Sequence, residues 1–290
     1  MITSVEELIS KVREDYADWN TKTLPWFRGE PSDTPSPLLP KLYRSENINL
    51  DENQLLQQFR RRAPSFGVNN TPPRRNTDQW LFLAQHVGLP TRLLDWSEGL
   101  FVGLYFALLE EKPVIWMLDP VGLNRLSVTV EDIEDNVFPL TWIDEERGPV
   151  QKIDIFLLAK FLKLGKEDFV NEFPELEEHY LITGPDHNIG NLNIRSAWEK
   201  DRSGTDLPIA VRPTYVHIRM NVQRSCFTIH GDRHLSINEL IDPLILKKYV
   251  IDPASVSQIK KDLKILGITN TSVFPDLDNL SKDLVEFFED

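Results

Sequence analysis

The sequence of 290 residues predicts an α+β fold, in which several short strands are spread among helices. Three observations predict it. Stretches with helical spacing of apolar residues and short strand-like runs follow one another irregularly, unlike the regular alternation of a doubly wound sheet. No segment repeats another at a fixed spacing, which argues against a solenoid or a propeller. The hydrophobic content of 41% suffices for one large core, so we expect a single domain over residues 1–290.

The N-terminal part of the chain shows clear periodic patterns. Apolar residues at helical spacing over residues 4–19 predict an amphipathic helix, with Ser4 as its N-cap and Glu7 three residues later. Similar patterns between Pro- and Gly-containing loops predict the other elements of this part. We expect further helices over 51–63, 79–85 and 98–110, and strands over 23–30, 92–96 and 114–118.

The C-terminal part predicts two strands over residues 208–231 and then a basic-faced helix over 254–266, followed by a last helix. By the two-residue period of a strand, one face of the first strand should carry Tyr215, His217 and Arg219. Acidic residues predominate between these two parts of the chain. We therefore expect an acidic insertion at about 121–205.

Composition and charge exclude several classes of protein. The formal charge of −13 argues against non-specific adhesion to nucleic acid or to an anionic membrane. The single cysteine, Cys226, excludes an intramolecular disulfide and a multi-cysteine metal site. It is either a thiol nucleophile or, as is more common within a strand, a small buried hydrophobe. The chain shows neither a secretion signal nor an apolar run long enough to span a bilayer, so we expect a cytoplasmic protein without a membrane partner.

One segment has a charge opposite to that of the whole chain. Between Asn53 and Thr77 there is no acid, and the basic residues are Arg60, Arg61, Arg62, Arg74 and Arg75. This segment is either a local basic groove for a nucleic-acid substrate or a solvated helix end followed by a loop.

Residues 79–109 are the stretch around which the rest of the chain is expected to be organised. Their middle, from His86 to Ser97, places polar and charged side chains within the most apolar sequence of the protein. Because burying an unpaired charge costs several kcal/mol, Arg92 and Asp95 should be paired with each other, with another charge or with a ligand. Composition alone favours a structural ion pair, since such pairs are also common outside functional sites.

The common catalytic motifs are missing from the sequence. It contains no Gly-rich phosphate loop, no dinucleotide-binding glycine pattern, no zinc-protease helix motif and no serine elbow. No two histidines are spaced as metal ligands on one helix, so we expect no metal. What remains is a set of single polar residues at the ends of short strands, namely Arg28, Arg92, Asp95, Ser97 and Gln223. An arginine can bind a pyrophosphate through two parallel hydrogen bonds, and Gly29 beside Arg28 would leave room for such a ligand.

Several segments together resemble the bacterial FRG-domain family. They are Trp26–Gly29, Leu39–Arg44, Ala84–Ser97, Tyr105–Ala107, Cys226–Gly231 and Val273–Asp278. Their order and spacing agree with the family from about residue 5 to the C-terminus. The block from His86 to Trp96 is long enough to be specific.

The FRG family is in turn similar to the ADP-ribosyltransferases, many of which carry an aromatic-Arg-Gly segment on the first strand. This resemblance implies an ADP-ribosyltransferase-like split sheet with surrounding helices, and NAD as the substrate. It implies catalytic roles for Arg28, Asp95 and Gln223. It also implies an NAD-binding set, consisting of Phe27, Arg28, Gly29, His86, Thr91, Arg92, Trp96 and Ser97.

One position departs from the transferase pattern. Those enzymes carry a glutamate on a later strand, whereas the matching stretch here, Asn221–Phe227, offers Gln223 and Ser225 but no acid. A glutamine can hydrogen-bond a ribose hydroxyl without supplying charge. Either Asp95 or another carboxylate would then have to stabilise the cationic ribose.

The resemblance implies NAD in a cleft between the Arg28 strand and the segment that follows Arg92. The two arginines would hold phosphates, and Trp96 or Phe27 would stack on the nicotinamide. The protein would be a toxin or anti-phage effector that transfers ADP-ribose to RNA, DNA or protein, with an antitoxin protein as a candidate partner. The alternative is a non-enzymatic FRG module for binding or sensing, in which Arg28, Arg92 and Asp95 form a structural network.

Overall fold

The computed structural model describes residues 1–19, 23–31, 37–66, 71–73, 76–127, 207–215, 217–231, 236–241 and 243–289, and five two-residue strands between residues 139 and 183. Most of the acidic insertion expected at 121–205 lies outside the described residues, as do Arg74 and Arg75 of the basic segment. Within the described part, no helix combines the length and the apolar character that crossing a membrane requires.

The helices form where periodicity and capping residues predict them. Ser4 precedes the first helix, and its hydroxyl accepts the Glu7 N–H, as the sequence indicated. Asp51 caps the second helix by accepting two backbone N–H groups. In chain order, the described helices are α1 (Val5–Ala17), α2 (Glu52–Arg62), α3 (Thr77–His86), α4 (Leu100–Ala107), α5 (Pro120–Ser127), α6 (Ile218–Val222), α7 (Ile237–Leu240), α8 (Val256–Ile265), α9 (Asn270–Val273) and α10 (Leu277–Glu289).

A sheet with six antiparallel strands forms the centre of the protein and confirms the α+β class. The described strands are β1 (Trp26–Pro31), β2 (Leu93–Ser97), β3 (Pro113–Leu118), β4 (Pro139–Leu140), β5 (Ile143–Asp144), β6 (Gly148–Pro149), β7 (Ile153–Asp154), β8 (Ile182–Thr183), β9 (Ile209–Arg212), β10 (Ser225–Ile229) and β11 (Leu246–Val250). The order across the sheet is β11-β3-β1-β2-β10-β9, and β8 adds a short parallel pairing beside β9.

The two central strands of this sheet, β1 and β2, are paired over a very short stretch. β1 pairs with β3 along its whole length. With β2 it shares the single described pair Phe27–Ser97. Regular antiparallel pairing would place Gly29 opposite Asp95, so the two strands diverge beyond the first pair and leave a gap.

Helices cover one face of the sheet in two separate groups. The helices α1, α4 and α8 pack over β11, β3 and β1, and their shared core includes Leu8, Leu104 and Ile259. The helices α2 and α3 pack over β2, β10 and β9, with Trp80 and Phe82 among the buried side chains. The boundary between the two groups lies over the gap between β1 and β2, and a cleft forms there.

The opposite face of the sheet carries a continuous apolar layer. Trp26 of β1, Trp96 of β2 and Cys226 of β10 pack there together with residues of α5 and α7. Burial raises the pKa of the Cys226 thiol well above its ordinary value. This cysteine is therefore a small buried hydrophobe and not a reactive thiol.

The structure corrects the prediction for the segment that follows β9. That strand ends at Arg212, so Tyr215 lies outside it. His217 is the N-cap of α6, where its Nδ1 accepts the Arg219 N–H at 3.2 Å. Alternating polar and apolar residues imitate a strand here, but the histidine cap satisfies the backbone locally and a turn of helix forms instead.

Candidate functional site: the cleft over the gap between β1 and β2

A cleft of about 330 Å³ lies between the two helix groups. Its floor is formed by β1, β2 and the start of β10. Its walls are formed by α3, α4, α6 and Phe274. Eight of the ten predicted site residues line it, namely Phe27, Arg28, Gly29, His86, Asp95, Trp96, Ser97 and Gln223. Thr91 and Arg92 are not part of the lining.

Arg28 lies in the gap itself. Its Nη1 donates to the main-chain carbonyl of Asp95 at 2.8 Å, so a side chain supplies a bond where the ladder is missing. Its Nε donates to Glu30 at 2.7 Å, and the other carboxylate oxygen of Glu30 accepts the Leu38 N–H at 3.0 Å. Nothing in the described part of the chain pairs with the Nη2 amino group. Two N–H donors therefore remain available to a ligand.

Asp95 is held in the cleft by a short chain of hydrogen bonds. The Gln85 amide donates to its carboxylate at 2.6 Å, and the Thr91 hydroxyl donates to the Gln85 amide oxygen at 2.5 Å. When Asp95 is ionised, the Gln85 amide nitrogen must face it, because a carboxylate only accepts hydrogen bonds. Thr91 thus supports the cleft from outside its lining, through Gln85.

The surroundings of Asp95 change its acidity. Enclosure by the cleft walls raises the pKa of the carboxyl group, while Arg28 and the Gln85 hydrogen bond oppose the rise. The side chain is still 53% exposed, so water reaches the carboxylate and limits the effect of enclosure. Asp95 therefore combines access to a ligand with two fixed neighbours.

Gly29 allows a helix to approach closely, which corrects the expectation that it leaves room for a ligand. A Cβ at this position would overlap the backbone nitrogen of Ala107 and would lie 2.5 Å from the Gly103 carbonyl oxygen. A Cβ on Gly103 would lie 2.8 Å from the Cβ of Phe27. The two glycines bring α4 onto β1 and so set one wall of the cleft.

The structure does not bring Arg92 to the cleft, which corrects the expectation that two arginines grip one ligand. Its Nε donates to Glu52 at 2.6 Å, and its backbone N–H donates to the other Glu52 oxygen at 2.8 Å. Both side chains are buried. Arg92 and Asp95 are separated by an odd number of positions, so an extended backbone cannot point both side chains into one cleft. Arg92 forms the structural ion pair that composition favoured.

The aromatic rings available in the cleft differ from those predicted. Phe27 and Trp96 border the cleft but are only 4% and 3% exposed, and the Trp96 indole donates to Thr228. Phe106 on α4 and Phe274 after α9 are partly exposed and lie edge to face, with ring centroids 5.7 Å apart. Phe106 and Phe274 therefore offer more exposed ring surface to a planar ligand than Phe27 and Trp96 do.

Ser97 connects β2 to the loop before β10. Its hydroxyl donates to the Gln223 carbonyl at 2.7 Å and accepts the Gly99 N–H at 3.0 Å. The Gln223 side-chain amide donates to the Val273 carbonyl at 3.1 Å. A glutamine held in this way can offer its amide oxygen to a ligand hydroxyl.

His86 ends α3 beside a second imidazole. Its ring centroid lies 5.0 Å from that of His217. Burial lowers the pKa of His86 to about 4, with smaller contributions from His217 and Arg219, so the ring is neutral at pH 7. Arg219 in turn pairs with Asp276 at 2.8 Å. The cleft lining therefore includes a neutral imidazole at the end of α3 and a paired cation on α6.

The described basic residues of α2 do not belong to the cleft. Arg60, Arg61 and Arg62 lie at the end of that helix, and none of them lines the cleft. The contact between α2 and α3 is made by Phe59 and Trp80, whose rings are 6.1 Å apart. Trp80 precedes His86 by roughly 9 Å of helix, so a basic groove would have to follow α3 to reach the cleft.

Sequence reasoning gave no role to Gln85 and Phe274, which both line the cleft, and it placed Phe106 only within the segment Tyr105–Ala107 that resembles the nicotinamide side of the transferases. All three residues lie in segments that resemble the FRG-domain family. Their place in those segments was the signal that could have identified them as site residues. Glu52 gives no such signal, because its partner Arg92 is 40 positions away in the chain.

Comparison with known proteins identifies one family. Residues 24–114 match the family model described as the FRG domain. The match includes β1 and β2, and with them Arg28, Gly29 and Asp95 of the cleft. No curated protein and no solved structure matches the chain. Residues 24–114 therefore carry an FRG domain, as the segments from Trp26 to Ser97 predicted.

Proposed function

We propose that the cleft binds NAD and that the protein transfers ADP-ribose from NAD to a macromolecule. One observation supports this proposal above the others. Arg28, Asp95 and Gln223 come from three distant parts of the chain, and all three line one solvent-accessible cleft. On this proposal, the gap between β1 and β2 is the centre of an ADP-ribosyltransferase-like split sheet.

The cleft suits part of an NAD molecule. Its volume of about 330 Å³ is at the lower end of the range for small-molecule sites. The enclosed part would hold the nicotinamide and its ribose, with Phe106 and Phe274 beside the planar ring. The phosphates would extend towards the open side, where the free Nη2 of Arg28 can donate two hydrogen bonds.

The proposed reaction breaks the bond between the nicotinamide nitrogen and C1′ of the ribose. The bonding electrons leave with nicotinamide, and positive charge develops on the ribose. The Asp95 carboxylate would stabilise this charge, and the Gln223 amide would orient a ribose hydroxyl without adding charge. The acceptor then attacks C1′ and releases a proton to solvent.

The biological setting follows from the family resemblance. The protein would act in the bacterial cytoplasm as a toxin or anti-phage effector. Its partners would be NAD, a macromolecular acceptor that is either nucleic acid or protein, and an antitoxin protein that neutralises it.

A second candidate function is non-enzymatic binding or sensing by the FRG domain. One observation favours it: the position that matches the glutamate of the ADP-ribosyltransferases holds Gln223, whose side-chain amide donates to the Val273 carbonyl. A site that only binds needs no carboxylate at that position. In this case, removal of the Asp95 charge would leave the function of the protein unchanged.

Titration calorimetry with NAD tests the binding step. We expect the wild-type protein to bind NAD and Arg28→Lys to bind it at least about tenfold more weakly, because lysine lacks the planar fork of donors. Lysine still places a cation beside the buried Glu30, so this variant should fold. Arg61→Lys is a matched control, since Arg61 is exposed and bonds to Gln58 outside the cleft. Absence of heat with the wild-type protein would rule out the proposal.

A transfer assay tests the chemical step. Labelled NAD is incubated with protein and cell extract, and the products are digested with protease or with nuclease to identify the acceptor. Asp95→Asn keeps an oxygen that can accept from Gln85 but removes the charge, so we expect unchanged folding and transfer reduced about 10²-fold or more. Label on neither protein nor nucleic acid would contradict transfer to a macromolecule, and equal transfer by Asp95→Asn would contradict the role of Asp95.

A further inference from the structure

The helix α10 exposes an apolar stripe. Leu277, Leu280, Leu284 and Phe288 follow helical spacing and lie on one side of it. Leu277, Leu284 and Phe288 are 81%, 50% and 82% exposed. Single exposed apolar residues are normal on a protein surface, whereas a stripe of this kind marks an interaction surface.

A groove of about 530 Å³ lies directly beside this stripe, between α8, the end of α4 and α10. Its floor includes the apolar side chains of Leu108, Leu263 and Ile268. Phe287 of α10 forms one edge of the groove and is 73% exposed. An apolar helix face and an apolar groove on the same molecule are the two halves of a reciprocal contact.

The charges on the two helices that border the groove have opposite signs. The sequence of α8 contains three lysines and one acid, whereas that of α10 contains four acids and one lysine. Within one copy, Lys264 of α8 pairs with Glu286 of α10 at 2.9 Å. Lys260 also lines the groove, and no ion pair engages it within the described residues. Two acids of α10 line the groove as well: Asp283 accepts from Asn270 and from the Thr271 N–H, and Glu286 pairs with Lys264. Lys260 is therefore the cation of the described lining that remains for an acidic partner.

We propose that α10 and the groove form the interface of a homodimer with two-fold symmetry. The acidic, apolar-striped α10 of each copy would lie in the groove of the other copy, against its basic α8. A second copy of the chain supplies both the matching apolar surface and the opposite charge. A nucleic acid or an anionic membrane would instead be repelled by the acids of α10.

The proposed interface lies next to the cleft. Leu109 lines both the groove and the cleft. Asp276, just before α10, pairs with Arg219 in the cleft wall. Each copy would therefore form part of the surroundings of the other copy's cleft, although the dimer itself does not depend on NAD transfer.

Sedimentation equilibrium of the full chain over a concentration series tests the proposal. We expect the mass to rise from that of one chain, 33.6 kDa, towards twice that value as the concentration increases. Phe288→Ser should raise the dissociation constant of the dimer about tenfold or more, because it removes an apolar anchor from the interface. Phe66→Ser is a matched control, since Phe66 is also 82% exposed but lies after α2, away from the apolar stripe of α10. It should leave the dimer unchanged.

Lys260→Glu tests the charge argument separately. It should weaken the dimer about fivefold or more at low salt and less at high salt. The side chains of Phe288 and Lys260 are both exposed, so circular dichroism should show native folding in Phe288→Ser and in Lys260→Glu. A mass of one chain at every concentration would overturn the proposal. A dimer that neither Phe288→Ser nor Lys260→Glu weakens would overturn it too, because the interface would then lie elsewhere.

Discussion

Arg28 and Arg92 lie close to the same pair of strands, yet their surroundings differ. Arg28 divides its donors between Glu30, a main-chain carbonyl and an open cleft. Arg92 is buried and makes two hydrogen bonds to Glu52 at the start of α2. Residue type does not distinguish a ligand-facing arginine from a structural one. The distinction comes from what lies beside each side chain, which is a gap in the sheet for Arg28 and a packed helix end for Arg92.

The comparison also limits what a simple substitution can show. Arg28→Ala would leave the buried Glu30 carboxylate without its cation, so this variant is expected to lose stability as well as any ligand. Loss of function in Arg28→Ala would therefore not separate the two roles. The following three predictions test the buried region around Arg92 and the cleft around Arg28 one at a time.

Glu52→Ala should have the largest effect on stability. It removes the buried carboxylate that accepts from both the Nε and the backbone N–H of Arg92, and we expect the free energy of unfolding to fall by about 3–5 kcal/mol. Urea denaturation followed by tryptophan fluorescence measures this loss. Glu46→Ala, which changes an exposed carboxylate nearby in the chain, should stay within about 0.5 kcal/mol of the wild type. Equal stability of Glu52→Ala and wild type would show that the pair does not support the fold.

Acidification should produce the next largest effect, through His230. Burial lowers the pKa of His230 to about 3, with added contributions from Arg28 and Arg92. The unfolded chain binds the proton below about pH 6.5, whereas the folded protein does not bind it until about pH 3, so falling pH favours unfolding throughout this window.

The variant His230→Gln removes this titration. Between pH 6.5 and 4, the wild type should lose about 3 kcal/mol more stability than His230→Gln, at about 1.4 kcal/mol for each pKa unit. Urea denaturation at a series of pH values measures the two slopes, and a constant offset between the variants does not affect the result. Parallel slopes would mean that His230 is protonated in the folded state.

Gly29→Ala should have a smaller effect, on the cleft side of the comparison. The new methyl group would meet the backbone of α4 at Ala107 and Gly103, where no side-chain movement can relieve the overlap. We expect a loss of about 1–3 kcal/mol in the free energy of unfolding. Gly99→Ala is the control, because its Cβ would find its nearest neighbour at 3.3 Å. If both variants have the same stability, α4 can move away from β1 at no cost.

Short-range signals predicted most of the described fold. The Ser4 cap and the apolar spacing of α1 act over a few residues, and the structure has this helix close to the predicted bounds. The exception follows Arg212, where the sequence alternates like a strand. The hydrogen bond that makes His217 a cap depends on a side-chain conformation, which alternation does not reveal.

The cleft was only partly predictable for a related reason. Arg28 and Asp95 were predicted as polar residues at the ends of short strands. Their convergence on one cleft was implied by the family resemblance of the segments Trp26–Gly29 and Ala84–Ser97. Glu52 finds Arg92 across 40 residues, and a local pattern carries no trace of such a pairing. Phe274 reaches the cleft because α9 packs near α6, which is a tertiary contact that no sequence period encodes.

The single strand pair between β1 and β2 has a mechanical consequence. A sheet resists separation through its row of backbone hydrogen bonds, and at this seam one described pair and the Arg28 side chain take their place. Separating the strand trios β11-β3-β1 and β2-β10-β9 would therefore break few backbone hydrogen bonds, and the resistance would come from the apolar layer that spans both trios. The Arg28 side chain, bonded to Glu30 on one trio and to the Asp95 carbonyl on the other, sets the distance between β1 and β2 at this seam.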